Sequence, residues 1–137
     1  MAVVLGYDES PGADAALATA VSVARRFGEE LVLVYGAAPP GGPGEEMAAH
    51  RAALVEIGRS ATAHAIETAA ADGVPARAVL VDAKPADALV RVAADVDATV
   101  IVVGTNGESP FRGALLGSVP HRLLHIADRP VLCVPAG

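Results

Sequence analysis

The stretch 98-ATVIVVGTNGESPFRGALLGS-118 decides the fold. It runs from a continuous apolar segment, residues 98–103, into a loop punctuated by Gly104, Gly107 and Gly117, and arrives at Ser118 where a helical pattern begins. Apolar residues without alternation mark a strand buried on both faces, the habit of parallel sheets. Glycine lets the main chain approach a ligand closely and take positive φ, while the free N–H groups and dipole of a helix start favour an anion. The stretch predicts a strand, a phosphate-cradling loop and a helix in succession, and with them a nucleotide-binding domain.

Working outward, the same alternation of signals continues in both directions. Short aliphatic or β-branched runs at 3–7, 31–35, 78–81, 99–103 and 131–134 each end at Gly, Asp or Pro and read as five strands. Between them, 10–27, 45–72, 85–96 and 118–127 are rich in Ala and Leu at three- and four-residue spacing and read as four helices. Ser10 with Pro11, Gly28, Asp72 with Gly73, and Pro85 supply the helix starts and stops. Strict βαβ alternation with continuous apolar strands predicts a doubly wound three-layer α/β domain on a five-stranded parallel sheet. The segment 36–44, GAAPPGGPG, is excluded from regular structure by its glycines and prolines. It reads either as a lid over the carboxyl edge of the sheet or as a plain solvated connection.

Composition agrees with one domain. The 137 residues are 53% hydrophobic but only 3% aromatic, so the core is built from Ala, Val and Leu. A net charge of −6 with Lys84 as the single lysine argues against nucleic acid or an anionic membrane as partner. No apolar run reaches the ~18 residues that cross a bilayer, and no signal-peptide pattern follows Met1. Cys133 is the sole cysteine, which excludes an internal disulfide and makes a reducing cytoplasm the expected location. Set among Val131, Leu132 and Val134, it reads as a small buried hydrophobe.

In open α/β sheets ligands bind at the carboxyl ends of strands where strand order reverses. If the first and fourth strands are central neighbours, Asp8 faces Gly104 and Gly107 across one crevice. A carboxylate accepts hydrogen bonds and repels phosphate, so Asp8 suits a ribose hydroxyl or base amine; alternatively it only opens the turn before Ser10 and Pro11. The glycine-loop N–H groups, the Ser118 hydroxyl and the start of the last helix suit phosphates. Arg112 either reaches a terminal phosphate or stays solvated, and Thr105 and Asn106 add polar groups at the rim. An adenine ring needs an apolar slot, for which the end of the second strand, Val34 to Ala37, supplies a wall.

The loop lacks the lysine of a Walker A motif and follows the wrong strand for a dinucleotide fingerprint. Gly104, Gly107, Gly117 and Ser118 reproduce the Gly-x2-Gly-x9-Gly-Ser nucleotide signature of the universal stress protein family. VVLGYDESPGADAAL resembles that family's first strand and helix, AKPADALVRVAADVDATVIVVGTNG its third helix and fourth strand, and GSVPHRLLHIADRPVLCVP its last helix and strand. The resemblance implies a Rossmann-like, adenine nucleotide alpha hydrolase-like sheet of order 3-2-1-4-5. It implies binding of an adenine nucleotide, usually ATP and in some members AMP or cyclic AMP, with any magnesium riding on the nucleotide. It also implies a role in stress sensing or regulation. Carried over by position, Asp8 contacts the nucleoside, Gly104 and Gly107 the ribose and phosphate region, and Gly117, Ser118 and Val119 the phosphates. Two places depart from the family pattern. Gly36 and Ala37 stand where a bulky aliphatic residue commonly meets adenine, and Pro120, which lacks an N–H, replaces a small polar residue.

Other classes are weaker. Phosphoanhydride hydrolysis needs charge stabilisation at the γ-phosphate, for which only Arg112 offers itself, so any ATPase activity is expected to be weak and incidental. A phosphoacceptor receiver domain would use Asp8, Glu9, Asp82 and Thr105, but needs a lysine where the chain has Pro135, Ala136 and Gly137. His121 and His125 have zinc-compatible spacing without a third ligand, and Arg122 stands where the metalloprotease motif has glutamate. The last strand, Val131 to Val134, would leave a bare apolar edge in a monomer, and pairing with a second copy would cover it. A homodimer is thus expected through that strand. A family member that binds no nucleotide and works as a dimeric interaction module is the remaining alternative.

Overall fold

The computed structural model describes residues 1–8, 11–36, 45–105 and 117–136. Five strands and four helices alternate: β1 (Ala2–Gly6), α1 (Pro11–Phe27), β2 (Glu30–Gly36), α2 (Glu45–Ala71), β3 (Ala76–Val81), α3 (Pro85–Asp95), β4 (Ala98–Gly104), α4 (Ser118–Ile126) and β5 (Val131–Val134). The strands form one parallel sheet of order β3-β2-β1-β4-β5, so the doubly wound α/β architecture and the strand order are both as expected. Ser10, the expected start of the first helix, and residues 37–44 lie outside the described residues.

Strand side chains alternate between two cores. Val3, Leu5, Leu31, Leu33 and Val102 point to the layer of α1 and α2, while Ala2, Val4, Val32, Val34, Ile101 and Val103 point to that of α3 and α4. Burial on both faces is why these strands read as continuous apolar runs. The largest fully buried side chains, including Leu5, Leu31, Leu33, Leu89, Ile101 and Leu123, each stabilise the fold by about 1.5–3 kcal/mol. Small residues bring the helices close to the sheet. Ala13, Ala16, Ala20 and Ala24 repeat down the buried face of α1, and Ala61, Thr62, Ala65 and Ala69 down that of α2. The buried Thr62 hydroxyl is satisfied by the Gly58 carbonyl at 2.8 Å.

The edges differ in character. Both outer strands are only partly buried, and β3 begins two residues earlier than its apolar pattern suggests because Arg77 interrupts that pattern while pairing with Glu30 of β2 at 3.4 Å. Helix ends follow local chemistry. Gly28 and Gly73 take φ of 66° and 76° just past α1 and α2, and Pro85 opens α3. Asp97 has φ of 51°, and its carboxylate accepts from Arg129 at 2.9 Å, tying the turn before β4 to the segment leading into β5. Among the described residues, no helix is long and apolar enough to cross a membrane.

Candidate functional site

β1 and β4 are neighbours whose connections leave to opposite faces: α1 joins the first core layer and α4 the second. The divergence opens a cleft of about 180 Å³ at the carboxyl edge of the sheet. Gly6, Tyr7 and Asp8 line it from the end of β1, Val34, Tyr35 and Gly36 from β2, and Val103 and Gly104 from β4. The helices add Ala13 from α1, Pro85 and Leu89 from α3, and Ser118, Val119 and Pro120 from α4. Three helix N-termini therefore converge on one space, each directing the positive end of its dipole there.

The glycines at this edge serve close packing. A Cβ on Gly104 would lie 2.8 Å from the Gly12 carbonyl oxygen and 2.9 Å from its carbon, so the first turn of α1 rests on the bare end of β4. A Cβ on Gly36 would lie 2.8 Å from Pro85 Cα and 3.0 Å from the Ala83 oxygen, because the connection from β3 to α3 crosses the end of β2. Gly6 faces Leu89 and Val103, with 3.1 Å from its ideal Cβ to Leu89 Cδ1. Positive φ, expected of the loop glycines, is not what Gly104 or Gly117 provides: among the described residues it occurs at Gly28, Gly73 and Asp97, and Gly117 has φ of −60°.

Thr105 and Gly117 shape the cleft without lining it. The Gly117 N–H donates to the Thr105 carbonyl at 2.8 Å, and the Thr105 N–H to the Val134 carbonyl at 3.0 Å, so the two ends of the long loop are clasped together against β5. Gly117 is the N-cap of α4 and Ser118 its first residue, with no side-chain capping bond. Under Asp8, the buried Tyr7 donates its hydroxyl to Asp14 Oδ1 at 3.1 Å, and its N–H bonds the Val34 carbonyl, locking the β1 exit to both α1 and β2.

Of the residues expected at the site, Asp8, Gly36, Gly104, Ser118 and Val119 meet in the cleft. Ala37, Asn106, Gly107 and Arg112 lie outside the described residues. Sequence reasoning missed Gly6, Tyr7, Ala13, Pro85 and Leu89. The signal for Gly6 was a glycine ending a β-branched strand, which marks a close approach. Elsewhere, Cys133 is half-buried instead of fully buried, and burial raises its thiol pKa, holding it in the unreactive form. The His121 and His125 rings meet edge-on at 5.0 Å on the exposed side of α4, and no group of three metal-ligating side chains occurs among the described residues.

Fold and cleft together define a doubly wound, Rossmann-like α/β protein with a cleft at the topological switch point of its sheet. The sequence matches the Universal stress protein family over residues 1–135, and the chain belongs to that family. It is 33% identical to a universal stress protein of Thermus aquaticus, covering 96% of each chain. It is also 33% identical to a universal stress protein of Mycobacterium tuberculosis, of whose length it spans 44%. Among solved structures, a universal stress protein from Archaeoglobus fulgidus superposes with a TM-score of 0.79 at 27% identity, over 98% of both chains. A universal stress protein in complex with cAMP superposes with a TM-score of 0.73 at 30% identity, over 100% of this chain and 98% of that one.

Proposed function

We propose that the chain binds an adenine nucleotide in this cleft and serves as a stress-linked sensor or regulator that does not turn the nucleotide over. The observation that carries the reading is the meeting of Asp8, Gly104 and the open start of α4 in one cleft. Asp8 suits the nucleoside hydroxyls, the Val34–Gly36 wall with Pro85 and Leu89 the base, and the Ser118 and Val119 N–H groups the phosphate. The complex of a 30% identical relative with cAMP supports it. ATP, AMP and cyclic AMP are the candidate ligands, with magnesium accompanying the nucleotide; Gly107 joins the proposed phosphate side through the family signature, and Arg112 through its charge within the same loop.

The test is the melting temperature with millimolar ATP, AMP or cyclic AMP, each with magnesium, for the native chain and Ser118→Asp. A ligand at a hundredfold excess over its Kd stabilises the native chain by about 2.7 kcal/mol. An aspartate in the first turn favours the helix by roughly 0.3–1 kcal/mol while repelling phosphate, so Ser118→Asp is expected to keep the fold and lose the shift. A native chain that shifts with none of the three would sink the reading and leave the dimeric interaction module.

A homodimer through β5 accompanies this proposal. Leu132 is 37% exposed on the outer strand, which among the described residues pairs only with β4 and so offers an edge that a second copy can pair. Leu132→Lys is expected to convert a dimer into a monomer in sedimentation velocity. A native chain that sediments as a monomer at tens of micromolar would refute the pairing.

A further inference from the structure

We propose that His121 and His125 form a second ligand site, a two-imidazole chelate for a divalent late transition-metal ion, copper(II) before nickel or zinc. The site lies on the outer face of α4 and does not depend on the nucleotide reading.

The helix sets the spacing. Residues four apart on an α-helix stand one above the other on the same face. Leu123, between them in sequence, is fully buried and anchors the opposite face of α4 in the second core. Both histidines are therefore exposed to solvent. The frame beneath them is closed at each end: the His121 N–H donates to the Gly117 carbonyl at 3.0 Å, and the Ala127 N–H to the Leu123 carbonyl at 2.8 Å. Arg122 is drawn toward Asp87 of α3 at 3.1 Å, so the cation next in sequence is paired and held to one side.

The ring geometry fits one ion. An imidazole nitrogen binds such a metal at about 2.0–2.1 Å, which puts the ring centre roughly 3.2 Å from the ion. Two rings in neighbouring square or tetrahedral positions then have centres about 4.5–5.2 Å apart. The His121 and His125 centroids are 5.0 Å apart. Their planes cross at 77°, and turning the rings about χ2, a broad and soft torsion, aims a nitrogen of each at a shared point without moving the helix.

Water fills the remaining positions. The site is open and exchangeable, unlike the closed four-ligand sites that hold structural zinc, so the lack of a third side chain among the described residues does not exclude it. Imidazole suits copper, nickel and zinc, and affinity in that series peaks at copper(II). Calcium and magnesium prefer oxygen ligands. Chelation also joins two successive turns of a helix of 9 residues that has no side-chain cap, so the bound ion stabilises α4.

Isothermal titration of the untagged, chelator-treated chain with copper(II), and with redox-inert zinc alongside, tests this. One ion per chain is expected, copper(II) bound more tightly than zinc. His121→Gln and His125→Gln are each expected to lower copper affinity at least about tenfold, since either leaves a single imidazole, and to keep the metal-free melting temperature because both side chains are exposed. The ion is expected to raise the melting temperature of the native chain by several degrees, as any ligand of the folded state does, and both variants to lose that rise. His64→Gln, exposed on α2, is expected to change nothing. No copper binding, a loss below tenfold in either α4 variant, or an equal loss in His64→Gln would overturn the site, because no ion would then be shared between the two rings.

Discussion

Gly104→Val is expected to lower the melting temperature by about 10 °C with no nucleotide present, a loss of roughly 3 kcal/mol from overpacking for a chain of this length. Valine is favoured in strands, so β-propensity works against this result. The loss comes from contact: the new Cβ would stand 2.8 Å from the Gly12 oxygen and 2.9 Å from its carbon. Both are main-chain atoms in the first turn of α1 and cannot swing aside as a flexible side chain would. The helix must lift from the end of β4, or β4 must bend away from it. Either movement separates Ala13 from Gly104, two walls of the cleft, so nucleotide affinity is expected to fall as well. Calorimetry on the ligand-free variant separates the causes. An unchanged melting temperature with binding lost would mean that Gly104 serves only the ligand, and the packing account would be wrong.

This double duty explains how much of the molecule was legible in its sequence. All five strands and four helices could be placed within about two residues because burial on both faces leaves continuous apolar runs and because Gly28, Gly73 and Pro85 mark helix ends. The early start of β3 was hidden by Arg77, whose polarity makes sense only beside Glu30 of β2. Strand order has no local signal, and it was reached through the family resemblance. At the site, Asp8, Ser118 and Val119 were legible as chemistry. The reasons for the glycines were not, since Gly104 answers to Gly12, and Gly36 to the main chain of Ala83 and Pro85. Such contacts exist only once the sheet is assembled.

Gly36 ties this close packing to the proposed base side of the cleft. Its lack of a side chain, read from sequence as a departure at the expected base pocket, also lets Pro85 approach the end of β2. The apolar surface on the side proposed for the base then comes in part from α3, where Pro85 and Leu89 line the cleft beside Val34. A side chain missing from one element is replaced by the closer approach of another, which is how a core with few aromatics keeps its density.

Leu89→Ala therefore carries the second large effect. Leu89 is 1% exposed, packs with Val4, Val32 and Ile101 in the second core, and reaches within 3.1 Å of the ideal Cβ position at Gly6. Leucine-to-alanine changes at buried sites cost about 2–5 kcal/mol, the spread depending on how well the void can be filled. Here the void would open into the cleft, where water can enter, so the expected cost is near the lower end, about 3 kcal/mol, or roughly 10 °C in melting temperature. The same opening removes the apolar floor proposed to hold the base. Affinity for AMP is expected to fall about tenfold, which corresponds to 1.4 kcal/mol, while the phosphate donors at Ser118 and Val119 stay in place. Inorganic phosphate used as a competitor against AMP should therefore gain ground in the variant. AMP binding that survives Leu89→Ala unchanged, in a chain whose stability has dropped as expected, would move the base off α3 and leave Leu89 to the core alone.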